Sequence, residues 1–245
     1  MDYGVYSLSL KEWLTYSSYG LVGCALTAYA FFRNGAAFAI MAPLGLLYPF
    51  YKKRELKESR CRKLNLEFKD GILILASFLS AGYSIENTLS LSARELSLLH
   101  GGEAMMVKEF EGLASKVHRN QTVEAAFMDL GERSGLDDVN NFAQVFATAK
   151  RSGGDLVEIM SHTAGIIRDK VQVQEEIYTM TASKAFEQRI MSMIPFFIVF
   201  YIDFTSPGFF NSMYETMAGR CIMAVCLLVY GAAFIMAKQI LRIEV

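Results

Sequence analysis

Charge distribution constrains this chain more than any other feature. Residues 52–189 hold 19 of the 24 Lys and Arg and 20 of the 25 Asp and Glu. The two flanks share the remaining five of each sign. A charged middle between two apolar ends points to an integral membrane protein that carries one water-exposed domain. The whole chain is 53% hydrophobic, with a mean hydropathy of +0.26, which is apolar for an ordinary charge content. Its net charge of -1 gives no general attraction to nucleic acid, and no such partner is expected.

The flanks read as membrane hairpins. Residues 1–51 contain two apolar runs, Ser17–Phe32 and Ala36–Tyr51, split by the turn Arg33-Asn34-Gly35. Each falls slightly short of the ~20 residues of an upright span. Residues 52–63 form a basic cytoplasmic linker that includes Lys52, Lys53 and Arg54. Basic residues beside a span mark the cytoplasmic side. Residues 189–245 hold a third span with Pro195, where a kink is expected, and a fourth from Cys221 to Ala237. Four spans place both termini and the central domain in the cytoplasm, with Arg33 and Arg220 as outer exceptions. Asp203, near the outer end of span three, reads as an interfacial carboxylate.

Within the charged middle, one pattern recurs three times. The stretch Ser152–Met160 reads S-G-G-D-L-V-E-I-M, Ala81–Leu89 reads A-G-Y-S-I-E-N-T-L, and Arg119–Phe127 reads R-N-Q-T-V-E-A-A-F. Gly82, Asn120 and Gly153 (followed by Gly154) occupy the position where a helix stops with positive φ. Ser84, Thr122 and Asp155 occupy the N-cap of the next helix. Glu158 lies where it would complete a capping box. The periodicity predicts helices over Leu64–Ala81, Ser84–Leu99, Glu103–Val117, Thr122–Arg133 and Asp137–Arg151. A sixth begins at Asp155 and runs through Thr181. Three helix hairpins give an all-α, six-helix bundle over residues 64–188. Leu64, Phe68, Ile72, Leu75 and Leu79 form one core stripe. Val139, Phe142, Ala143, Phe146 and Ala149 form a second, and Leu156, Ile159, Met160, Thr163, Ile166 and Ile167 a third.

No catalytic constellation is visible. A phosphate loop, a dinucleotide fingerprint and an H-E-x-x-H motif are missing from the sequence. The pairs Asp137-Asp138 and Glu175-Glu176 point about 100° apart on a helix and read as solvated faces or helix-start charges. Neither enzyme activity nor a cofactor or metal is expected.

Three motifs carry a resemblance to a known family. They are F-L-S-A-G-Y-S-I-E-N-T-L (Phe78–Leu89), A-K-R-S-G-G-D-L-V-E-I-M (Ala149–Met160) and K-A-F-E-Q-R-I-M-S-M-I-P (Lys184–Pro195). The third, with Lys184, Glu187, Arg189 and Pro195, leads into span three. The layout and motifs resemble the type II secretion F-domain family. More narrowly they resemble the Tad/Flp pilus assembly platform proteins, with R-x-G-G-[DN]-L leaning towards TadB over TadC. The resemblance implies an inner-membrane platform protein that works with a TadA-like cytoplasmic secretion ATPase, a TadC-like second platform protein and pilin subunits in the bilayer. It also implies a homo- or hetero-oligomer. The ATPase contacts expected are Lys52, Lys53, Arg54, Arg133, Lys150 and Arg151. The competing reading is a helical membrane receptor or a transporter subunit.

Overall fold

The computed structural model describes Tyr3 and residues 8–152 and 155–241. Among these residues every regular element is an α-helix. In chain order they are α1 (Leu10–Phe32), α2 (Gly35–Ser80), α3 (Ile85–His100), α4 (Met105–His118), α5 (Val123–Ser134), α6 (Asp137–Ser152), α7 (Leu156–Thr205), α8 (Asn211–Glu215) and α9 (Met217–Leu241). The expected linker at 52–63 is helical and lies inside α2. Its Lys, Arg, Glu and Leu are strong helix formers, and Arg54 pairs with Glu58 one turn on. The sixth bundle helix and span three are likewise one 50-residue helix, α7.

The chain divides into two compact units, with boundaries inside α2 and α7. The bundle unit comprises residues 54–175 and the N-terminal segment that holds Tyr3. The apolar unit comprises residues 8–53 and 176–245.

The bundle unit has one hydrophobic core. Leu64, Phe68, Ile72, Leu75 and Leu79 of α2 are all buried, as are Val139, Phe142, Ala143, Phe146 and Ala149 of α6. Rings interlock at its centre. Phe142 meets Phe68 edge-on at 5.6 Å and Phe127 at 5.2 Å, geometries that favour the ring quadrupoles. Close approach needs glycine at two places. A Cβ on Gly71 would stand 2.8 Å from the Phe110 ring, and one on Gly131 would stand 3.1 Å from Asn140 Cα. On α7, Met160, Ala164, Ile167 and Val171 face the core. Ile166 was expected there but is 55% exposed. Spacings of four, three and four select the face through Ile167, and Ile166 lies about 100° away on the helix.

The apolar unit is built differently. Two helices among the described residues are long and apolar enough to cross a membrane: α7, in its second half, and α9. In the α1–α2 hairpin the backbones nearly touch, and a Cβ on Gly20 would lie 2.3 Å from the Gly45 carbonyl oxygen. Cys24 Sγ donates to the Met41 carbonyl at 3.4 Å. Small residues at a helix crossing are the usual packing solution where lipid replaces water. Pro43, Pro49 and Pro195 all lie inside helices. Near Pro195, Tyr230 of α9 donates its hydroxyl to the Ser192 carbonyl at 2.7 Å. Such side-chain donors compensate disturbed helix hydrogen bonding in a membrane.

Candidate docking face and the route into the apolar unit

Two of the three repeated turns are described fully, and they share one hydrogen-bond signature. After α2, Gly82 N donates to Leu79 O and Tyr83 N to Phe78 O. After α4, Asn120 N donates to Val117 O and Gln121 N to Lys116 O. This pair of bonds is the Schellman motif, with Gly82 (φ 88°) and Asn120 (φ 63°) in the left-handed position. The Phe78 and Tyr83 rings supply the accompanying apolar contact at 5.7 Å. Two residues after each stop stands the N-cap residue of the next helix. Thr122 Oγ1 accepts from Ala125 N at 3.4 Å. Ser84 is the N-cap of α3 by backbone geometry, without a side-chain bond. In the third copy Gly153 and Gly154 lie outside the described residues. Asp155 Oδ1 accepts from Val157 N at 3.0 Å and from Glu158 N at 3.1 Å.

These turns cluster. Short connections between packed helices make neighbours antiparallel, so alternate turns share an end of the bundle. Lys150 Nζ at the end of α6 donates to Glu124 Oε2 at the start of α5 at 3.0 Å. The Gly82 and Asn120 turns and the α6–α7 connection therefore form one face of the bundle unit. Lys150 and the exposed Arg151 stand on that face.

The other candidate contacts lie elsewhere. Arg133 is at the far end of α5 from Glu124, nine residues or about 14 Å along the helix. It is committed to helix packing. Its Nη1 and Nη2 donate to Glu109 at 3.1 and 2.8 Å, and its Nε donates to Asp129 at 2.9 Å. Lys116 also pairs with Asp129. Tyr3 hydroxyl donates to Glu109 Oε1 at 2.8 Å, Tyr3 N donates to the Arg133 carbonyl at 3.0 Å, and Arg60 covers the Tyr3 ring. Burial pushes the Glu109 carboxyl up, but the bonds from Arg133 and Tyr3 outweigh it and hold it below the usual range. The bond from Lys116, opposed by partial burial and aided by Arg133, lowers Asp129 likewise. Lys52, Lys53 and Arg54 lie before Arg60 on α2. Lys150 and Arg151 thus stand at the opposite end of the bundle unit from Arg133.

The same end as Arg133 carries the two chain crossings. Arg62 Nε donates to Glu175 Oε1 at 2.6 Å, tying α2 to α7 within the bundle unit, and this bond lowers the Glu175 carboxyl against its partial burial. Glu175, read as a solvated charge, is instead an interhelix partner. Asp138 is buried as well: it accepts from Asn65 at 3.0 Å and Lys170 at 2.5 Å. Glu67 is buried and accepts from Met106 N at 2.9 Å, capping α4 from α2. Sequence reasoning missed these groups because their partners lie 24 to 113 residues away, and periodicity carries no sign of such pairing.

Further along α7, Lys184 pairs with Glu187 at 3.1 Å on an exposed face, and Arg189 is also exposed. Pro195 lies within the continuous helix. Among the described residues no group of three His, Cys, Asp or Glu is placed to hold a metal.

A helical bundle that shares its last helix with an apolar helix long enough to cross a membrane points to a membrane protein. Comparison with protein families is more specific. The family described as type II secretion system (T2SS), protein F, matches residues 72–203, more than half of the 245. The chain belongs to this family. Its domain is found in inner-membrane platform proteins of secretion and pilus systems. Neither the comparison with curated proteins nor that with solved structures gives a match.

Proposed function

We propose that this chain is the inner-membrane platform protein of a Tad/Flp-type pilus or type II secretion-like machine. In this reading it has no catalysis of its own. It couples a TadA-like cytoplasmic secretion ATPase to extraction of pilin subunits from the bilayer and to fibre assembly, beside a TadC-like second platform protein. The membrane-crossing number is four, with α1 and the first part of α2 completing the set. Both termini and the bundle lie in the cytoplasm.

The observation that carries the proposal is α7. One helix supplies Met160, Ala164, Ile167 and Val171 to the bundle core and then continues through Pro195 as an apolar helix to Thr205. A push on the bundle therefore acts on a helix that enters the apolar layer. The turn face is the docking face, because it lies at the end of the bundle opposite the two chain crossings. Lys150 and Arg151 are its contacts for the ATPase. The test is co-purification in detergent. Lys150→Glu with Arg151→Glu weakens capture of the ATPase at least several-fold while leaving the melting of the chain within a few degrees. Unchanged capture overturns the docking assignment.

A further inference from the structure

The two arginines at the outer ends of the apolar unit are used differently. Arg33 pairs with Asp203, and its guanidinium also lies over the rings of Tyr29 and Tyr214 at 5.5 and 5.4 Å. The intramembrane-edge carboxylate and one outer cation thus neutralise each other. Arg220, near the start of α9, has no such partner: among the described residues no carboxylate pairs with it. Its Nε donates to the Tyr214 carbonyl at 2.8 Å, which fixes the guanidinium in place.

Arg220 borders a cavity of about 370 Å³ between the α1–α2 turn and α9. The walls are apolar, with Ala37, Ile40 and Met41 from α2 and Leu227 from α9. The other polar group in the lining is Asn34. Asn34 Oδ1 accepts from Ala36 N at 3.0 Å, which leaves the amide nitrogen to donate. The first turn of α2 forms one wall, and its dipole adds positive potential there. The volume falls in the range of small-ligand pockets.

We propose that this cavity binds an anionic phospholipid, with its phosphate on Arg220 and the Asn34 amide and an acyl chain along Ile40, Met41 and Leu227. The chemistry follows from the lining. An unpaired guanidinium wants a bidentate oxyanion, and phosphate fits its fork. Apolar walls continuous with a lipid-facing surface want a hydrocarbon chain. An amphipathic anion satisfies both, and the bilayer is its source. The site requires that the apolar unit lie in a membrane, but it does not depend on the platform role or on the ATPase.

The test uses the full chain, delipidated in a non-ionic detergent and titrated separately with phosphatidylglycerol and phosphatidylcholine, with bound lipid read by native mass spectrometry. The expected result is preferential retention of phosphatidylglycerol. Arg220→Gln weakens it about ten-fold, the loss of one charge-assisted contact, and Arg220→Lys restores part of it. Ala37→Phe, which fills the cavity and keeps the charge, lowers retention of phosphatidylglycerol as well. Size-exclusion profiles show whether each variant folds. Should Arg220→Gln not fold, Ala37→Phe decides alone. Equal binding of the two lipids, or equal phosphatidylglycerol retention by wild type and the folded variants, overturns the proposal. So does displacement of neither lipid but tight binding of an apolar helical peptide bearing a carboxylate, which would make the cavity a helix-docking groove.

Discussion

Phenylalanine has opposite fates in the two units. In the bundle unit Phe68, Phe110, Phe127, Phe142 and Phe146 are buried to within 1% of full burial. In the apolar unit Phe186 is 63% exposed, Phe197 69% and Phe204 90%. The buried polar side chains gather in the same unit as the buried rings. Glu67, Glu109, Asp138, Thr88, Ser92 and Ser134 are in the bundle unit, and Ser17 is in the apolar one. A chain folding in water hides its rings and pairs the charges it buries. A helix folding in lipid has no reason to hide rings, and packs through small residues and backbone contact instead. The bundle unit follows the rules of a chain folded in water, the apolar unit shows the exposed rings that a membrane-crossing helix tolerates, and α2 and α7 run through both units.

That contrast makes the bundle unit sensitive to truncation of its rings and the apolar unit insensitive. Phe142→Ala removes a ring that touches three other aromatic rings and should cost about 3–5 kcal/mol, enough to unfold the bundle unit in a thermal melt. Phe197→Ala, the same substitution at an exposed ring, should leave the melt in detergent nearly unchanged. A comparable loss from both would erase the distinction.

Next in size is the network around Arg133. Arg133→Ala leaves Glu109 with Tyr3 and no cation, and should cost about 2 kcal/mol after allowing for partial exposure. Its pH dependence has a definite sign. Glu109, Asp129 and Glu175 have lowered folded-state values, so their contribution is fully present above the ordinary carboxylate range, about 4. It is lost as pH falls through the lowered values. Urea melts should be flat from pH 7 to about 5 and decline below about 4. In Glu109→Gln the decline should be shallower. A decline that begins near neutrality would contradict this origin.

The turns give the smallest effects. A Cβ on Gly82 meets no atom within 4 Å, so Gly82→Val carries only backbone strain, about 1–2 kcal/mol. Asn120→Gly should change stability by less than about 1 kcal/mol, because it trades a tolerated left-handed Asn for a more flexible chain. Equal destabilisation by both would show that the side chain, not the positive φ, matters there.

Much of this was legible in sequence because helical periodicity and stop signals are local. The core stripes at Leu64–Leu79 and Val139–Ala149 follow from spacing alone, and the turns at Gly82 and Asn120 follow from the residues that tolerate positive φ. Ile166 shows the limit: two adjacent isoleucines leave the facing residue undecided until the neighbouring helices are placed. The pairings Arg62–Glu175, Arg133–Glu109 and Lys170–Asp138 were not legible, since nothing local tells a paired charge from a solvated one. Arg133, read from the sequence as a contact residue, is tied to Glu109 and Asp129 by such pairing. The continuity of α2 was hidden by Pro43, Pro49 and the charge run after them, which read as an end and a linker.

The central claim is that equal geometric exposure means water in one unit and lipid in the other. Leu98 in the bundle unit is 75% exposed and Phe197 in the apolar unit 69%. With the four native cysteines replaced by alanine, Leu98→Cys and Phe197→Cys should be probed in native membranes with a water-soluble maleimide. Labelling should be fast at 98 and almost absent at 197, with both positions labelled after denaturation in detergent. Equal labelling of the two in intact membranes would contradict it.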